Sequence, residues 1–274
     1  MLELDEVGLV HNHRRTDEVV ALKDLSLTAP AGQFVTVIGS NGAGKSSLVR
    51  VVSGAARPTS GRVRLCGRDM TRLPDYRRAG LVARVFDDPR AGTAPELSVE
   101  DNMALAMSRG ERRTLRFALS AKRRALMRER LAELGLGLED RLPDRVGLLS
   151  AGQRQSLTMV MAGLTRPEVL LLDEHLAALD PGTAQRVLGL TAELVRGVGC
   201  TTLMITHNMD HALALGERLL VMSRGRVVAD LDQRDKRAAS VADLVELIAG
   251  AGDTVSDRIL LREDTPIETT KGQQ

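Results

Sequence analysis

Residues 39–47 read Gly-Ser-Asn-Gly-Ala-Gly-Lys-Ser-Ser and stand between a short apolar run, Phe34 to Ile38, and a stretch of helical character from Ser46 to Val52. Gly39, Gly44, Lys45 and Ser46 fit the pattern GxxxxGK[ST]. A loop of this kind wraps backbone N–H groups around phosphates, so Ser40, Asn41, Gly42, Ala43 and Ser47 join the candidate cradle. The lysine reaches the β and γ phosphates, and the Ser46 hydroxyl binds magnesium. A glycine-rich turn with a coincidental lysine is the competing reading, and the placement between strand and helix counts against it.

Chemistry on a triphosphate also needs a carboxylate at the end of a buried strand to hold the magnesium shell, and Val169-Leu170-Leu171-Leu172-Asp173 supplies one. Glu174 follows at once. Neighbouring positions at a strand end point in different directions, so Asp173 can face the metal while Glu174 faces the attacking water as general base. An apolar strand ending in two acids is common by itself; behind a phosphate loop it acquires a role.

The rest of the chain provides the frame. Alternating apolar and polar residues predict strands from Leu2 through Val7 and from Val19 to Leu27, and a second strand pair at Arg62 to Leu65 and Leu81 to Phe86. From about residue 88 to 150 the chain turns to helical stretches rich in Ala, Leu, Met and Arg, broken at Gly110, Gly135, Gly137 and Pro143, and is expected to be an inserted helical subdomain. Strand signals return at Val169 to Leu172, Thr201 to Ile205 and Leu219 to Met222, alternating with helical stretches at Gly182 to Arg196 and Asn208 to Leu215. That alternation predicts an α/β fold with a mostly parallel central sheet. A last helix is expected near Val241 to Ile248, then a polar, mobile tail over residues 251–274.

Composition excludes several classes. No apolar run approaches the roughly 20 residues of a membrane span, and the N-terminus MLELDEVGLV has no basic segment ahead of an apolar one, so the chain is expected in the cytosol. Cys66 and Cys200 lie far apart with no ligand spacing, and both are expected to be buried small hydrophobes. The formal net charge is +2, and with no Trp, one Tyr and three Phe, base stacking on single-stranded nucleic acid is disfavoured. One segment departs from this balance: Arg109 to Arg130 carries nine Arg or Lys against two Glu. A solvated helix face and a nucleic-acid surface both fit that charge.

Between the loop and the acid pair lies Leu149-Ser150-Ala151-Gly152-Gln153, which resembles the LSGGQ signature of ATP-binding cassette (ABC) ATPases. Other short strings fall in that family's order: Phe86-Asp87-Asp88-Pro89 at the place of its Q-loop, Ala178-Leu179-Asp180 at its D-loop, and Thr206-His207 at its switch histidine. The similarity runs from Leu2 to about Ile248, so residues 1–250 are expected to form one ABC ATPase domain. The resemblance implies a P-loop fold with a mostly parallel central sheet, an N-terminal antiparallel β subdomain and the helical insertion.

It further implies a homodimer sandwiching two ATP molecules with Mg2+. Ser150, Ala151, Gly152 and Gln153 of one copy would meet the γ phosphate bound by the other. His207 would hold the γ phosphate and the water near Glu174, Asp180 would belong to the nucleotide-side D-loop, and Asp87 would stand where the family's glutamine reaches magnesium. Adenine would stack on His11, with His13 as second candidate; a loop with two solvent-facing histidines is the alternative.

The strings VTVIGSNGAGKSSL, GTAPELSVEDNMALA, LLLDEHLAALDP and TTLMITHNMDHAL, with His175 where the family has proline, are similar to a branch of bacterial import ATPases. That branch works with a separate membrane permease and, indirectly, an extracytoplasmic binding protein, and is labelled as serving tryptophan- or tyrosine-like amino acids. The resemblance therefore implies an ATPase powering solute import from the cytoplasmic face of the membrane, with no nucleic-acid partner. Two rivals remain: a soluble ABC ATPase unconnected with transport, and a weakly hydrolysing regulatory subunit, the latter suggested by Asp87 and Ala151.

Overall fold

Alternation at the N-terminus builds the first layer. Leu2, Leu4, Val7 and Leu9 turn inward from β1 (Leu2–His11), which pairs antiparallel with β2 (Val19–Ala29) in a register that sets Leu4 opposite Leu27 and His11 opposite Val19. On its other side β1 pairs with β4 (Ser60–Leu65), and the two-residue β5 (Arg68–Asp69) closes a sheet of order β2-β1-β4-β5. The coordinates are a computed structural model that describes residues 1–12, 16–109, 119–177 and 179–250.

The second sheet has the order β10-β9-β3-β8-β7-β6. Its centre is β3 (Phe34–Gly39), buried at every residue and parallel to β8 (Thr201–Ile205) and β9 (Arg218–Ser223). Beyond β8 come β7 (Val169–Asp173) and β6 (Val82–Val85), again parallel, while β10 (Arg226–Leu231) pairs antiparallel on the opposite edge. Strands covered on both faces must be apolar throughout, and Val169-Leu170-Leu171-Leu172 is fully buried. Because β3 and β7 flank β8 in parallel, their C-terminal ends open on the same edge, where ligands of α/β sheets bind.

Side-chain period decides what each strand touches. Leu171 packs in one cluster with Leu48, Val49 and Val52 of α1 (Lys45–Ser53), whereas Leu170 and Leu172 pack with Met159 and Ala162 of α5 (Ala151–Gly163). Asp173, two residues beyond Leu171, therefore shares the face of α1. A separate cluster, with Met103 of α3 (Val99–Met107), Met127 and Leu131 of α4 (Ala121–Ala132), and Leu157 of α5, holds the helical region together. Arg124 of α4 pairs with Glu100 of α3 at 2.7 Å, so part of the basic segment's charge serves that packing. Residues 110–118 of the basic segment lie outside the described residues, as does the 251–274 tail.

On the remaining face α7 (Met209–Ala214) and α9 (Val241–Gly250) cover Ile38, Leu219 and Val221. α6 (Pro181–Val198) follows β7 and brings Val195 to the cluster of Leu170 and Leu172. The short α2 (Asp75–Arg78) and α8 (Gln233–Ala238) complete the α-helices among the described residues. None of these helices is long and apolar enough to cross a membrane.

Two expectations are corrected. The segments Arg62 to Leu65 and Leu81 to Phe86 do not pair: β4 joins β1 in the antiparallel sheet, and β6 is the edge of the parallel one beside β7. Cys66 is exposed, because it sits at φ 49 in the tight turn between β4 and β5, where its thiol donates to Glu168 Oε2 at 3.2 Å; Cys200 is buried as expected.

Candidate active site

The loop after β3 is shaped by two glycines that no other residue could replace without displacing backbone. Gly39 has φ 153, and a Cβ there would run into the Met222 carbonyl oxygen of β9. At Gly44, with φ 103, a Cβ would lie 2.6 Å from the Ala21 carbonyl oxygen of β2. Between them the chain closes a turn by an Ala43 N–H to Ser40 carbonyl bond of 3.2 Å and leaves Asn41 and Gly42 exposed. Gly44 offers no side-chain cap to α1 and the first turn holds no acid, so this end of the helix keeps its N–H groups and positive dipole for an anion.

Lys45 is 5% exposed, and its Nζ donates to the carbonyls of Gly39 at 2.6 Å and Ser40 at 3.0 Å. The ammonium is thus folded over the loop it would share with phosphate. Ser46 is exposed, and half-buried Ser47 has its Oγ 3.4 Å from His11 Nε2. That contact places His11, the last residue of β1, beside the start of α1; His13 lies outside the described residues.

Asp173 ends β7 almost fully buried, and burial pushes its carboxyl above the usual range, with the charges of Glu174 and Asp87 adding to the rise. Arg84 of β6 opposes that shift through an ion pair, Nη2 to Oδ2, of 2.6 Å. Glu174 then takes φ 49, a left-handed backbone rare outside glycine, held by its N–H to the Ile205 carbonyl at 3.0 Å. The kink turns its side chain toward His207, whose Nε2 lies 2.6 Å from Oε1. Hydrogen bonding by His207 holds the Glu174 carboxyl below its ordinary value against the effect of burial, and the charges of His207 and Lys45 act in the same direction.

The structure therefore brings residues 39–47, His11, Asp173, Glu174 and His207 to one edge of the sheet. Asp87 is exposed just beyond β6, within electrostatic reach of Asp173. Ser150 and Asp180 are helix caps here. Ser150 Oγ accepts from the Gln153 N–H at 3.2 Å while Gln153 Oε1 accepts from the Ser150 N–H at 3.1 Å, and Asp180 accepts from Thr183 N–H at 3.1 Å. Gly152 packs on Thr183, where a Cβ would meet the threonine methyl, and Ser150, Gly152 and Gln153 line a separate cleft with Thr183 and Arg186 of α6. Ala151 is exposed, and Ala178 lies outside the described residues.

His175 is 2% exposed, with Nε2 2.9 Å from Thr191 Oγ1 of α6, and burial lowers its pKa to about 3. Sequence reasoning missed Arg84, although a single arginine in the apolar run Val82-Ala83-Arg84-Val85 was a visible signal.

The ABC transporter family matches this chain over residues 22–177. A tyrosine transport ATP-binding protein of Clostridioides difficile is 43% identical over 225 residues, spanning 82% of this chain and 89% of that protein. The chain belongs to the ABC transporter family. Within it, this chain is an ATP-binding subunit and an ATPase.

The methionine import ATP-binding protein MetN of Corynebacterium efficiens is 36% identical to this ABC ATPase over 234 residues, 83% of this chain; the chain spans 61% of that longer protein. Among solved structures, a dimeric post-hydrolysis state of an ATP-binding cassette bound to ADP and Pi superimposes with TM-score 0.73 at 26% identity, covering 85% of this chain and 99% of that one.

Proposed function

We propose that this ABC ATPase powers solute import through a separate membrane permease, as a homodimer on the cytoplasmic face of the membrane. The observation that carries the reading is the meeting of Lys45, Asp173, Glu174 and His207 at one sheet edge, in a chain that matches an amino-acid transport subunit over most of both lengths. Residues 1–250 act as the ATPase domain, with 88–150 as its helical insertion toward the permease. An extracytoplasmic binding protein would act on the permease, not on this chain.

Magnesium fits the oxygens available: the Ser46 hydroxyl and the Asp173 carboxylate are hard donors beside the phosphate loop. When bound, the ion neutralises phosphate charge.

This chain's own residues do the rest. Loop amides of 39–47 orient the phosphates, and Lys45 exchanges its two loop carbonyls for phosphate oxygens. Glu174 accepts the proton of the attacking water, while His207 fixes the carboxylate's direction. Ser150 and Gly152 of the second copy supply donors to the γ phosphate, with Ala151, Gln153 and Asp180 shaping that contact, and His11 stacks on adenine. Arg124 serves α3–α4 packing, and the basic segment Arg109 to Arg130 is the docking surface toward the permease.

The test is reconstitution of the chain with its permease in vesicles. ATP hydrolysis stimulated by the permease, with solute accumulating on the ATPase side, supports the reading. Tight, salt-sensitive DNA binding with no response to the permease overturns it.

A further inference from the structure

β6 is apolar and buried except at Arg84. In the parallel ladder Arg84 stands opposite Leu171, two residues before Asp173, so one face of the sheet carries Arg84, Leu171 and Asp173 together. The guanidinium contacts Asp173 Oδ2 at 2.6 Å, with the two side chains 22% and 9% exposed, and lies over the Phe86 ring at 4.4 Å from Cζ to centroid. Among the described residues Asp173 is its hydrogen-bond partner, and Nε is buried with none.

A strut between β6 and β7 would be the plain reading of this pair. The strands, however, are already joined by their ladder over Val82 to Val85. A buried ion pair with an orphaned donor is a poor means of adding stability. The position of the pair matters more: the oxygen that Arg84 grips belongs to the carboxylate placed on the face of α1, beside the phosphate loop. Asp173 has room for more than one partner, but a guanidinium and a dication drawn to the same carboxylate repel each other, so each weakens the other's hold.

We propose that Arg84 is a positioning residue that grips Asp173 and competes with magnesium for it, so that metal-dependent nucleotide loading works against the guanidinium's hold. The inference rests on the reading of Asp173 as the magnesium-side carboxylate. Arg84 also lowers the cost of burying Asp173, which ties the two functions to one contact.

The experiment titrates magnesium into the full chain with a fluorescent ATP analogue, comparing wild type, Arg84→Met and Arg84→Lys. The Arg84→Met midpoint should fall about tenfold, the effect of removing one charge-assisted hydrogen bond from the competition. Arg84→Lys, which retains the charge, should stay close to wild type, and affinity for the analogue in EDTA should change less than twofold. An unchanged or higher midpoint in Arg84→Met overturns the proposal. Wild-type binding indifferent to magnesium overturns both the proposal and the reading of Asp173. Should Arg84→Met not fold, Arg84→Gln is read in the same way.

Discussion

His207 Nε2 lies 2.6 Å from Glu174 Oε1, across 33 residues of sequence, with the Glu174 backbone bent to φ 49 to permit it. The carboxylate that would take a proton from water is thus aimed by a histidine that is itself at the phosphate edge. Glu174→Gln keeps the shape and removes the basicity. It should lower hydrolysis by roughly a hundredfold or more while ATP binding persists, and should trap a dimer with ATP and magnesium. Size-exclusion chromatography and a phosphate-release assay check this; a monomer with wild-type turnover would remove Glu174 from the role of base.

The same contact predicts a pH dependence. Because His207 holds the folded Glu174 carboxyl below its ordinary value of 4.5, the ionised form is favoured by folding. Its contribution is fully present above about pH 4.5 and is lost as pH falls through the depressed folded value. The stability gap between wild type and Glu174→Gln should therefore narrow on acidification below pH 4.5. Urea unfolding at a series of pH values measures it, and a gap that widens would contradict the sign.

His11 sits at the end of β1 with Nε2 3.4 Å from Ser47 Oγ, at the side of the phosphate loop. If adenine stacks there, a larger ring covers more of it: His11→Tyr should tighten ATP binding modestly and His11→Ala should loosen it. Calorimetric titration of the three proteins decides, and equal affinities would assign His11 to the loop alone.

Asp87 is exposed, but its charge is felt at Asp173. An anion one methylene shorter than glutamine raises the negative charge around the metal position and repels the γ phosphate. Asp87→Gln, which relieves the repulsion of the γ phosphate, should hydrolyse ATP several-fold faster across a magnesium titration, the change expected from an interaction of about 1 kcal/mol. Superimposable magnesium curves would show Asp87 to lie outside the metal shell.

Arg78 is 1% exposed and binds four carbonyls: Val51 and Val52 at the end of α1, at 2.8 and 2.7 Å, and Met70 and Leu73 at 2.5 and 2.9 Å. It closes the far end of the helix whose start holds Lys45. Arg78→Met should cost about 3–5 kcal/mol, since buried acceptors lose their donors together. Arg78→Lys should recover only part, because an ammonium cannot reproduce the planar fork. Denaturant titration reads both, and a loss under about 1 kcal/mol would show that water replaces the guanidinium.

Much of this protein is written locally. The glycines of 39–44 dictate a backbone that only they tolerate, the unbroken apolar run Val169 to Leu172 marks a strand covered on both faces, and Ser150 with Gln153 announces a helix start. These signals act within a few residues, where φ/ψ preference and side-chain period are set, so loop, acid pair and element order were legible without coordinates. Pairing across the chain was not. That β4 and β6 belong to different sheets, and that Arg84 reaches Asp173 across 89 residues, depend on which strands lie side by side. Burial of distant side chains decides that arrangement, and no local period encodes it. The sequence by itself thus determined which groups could handle a nucleotide; only the tertiary structure decided which of them hold one another.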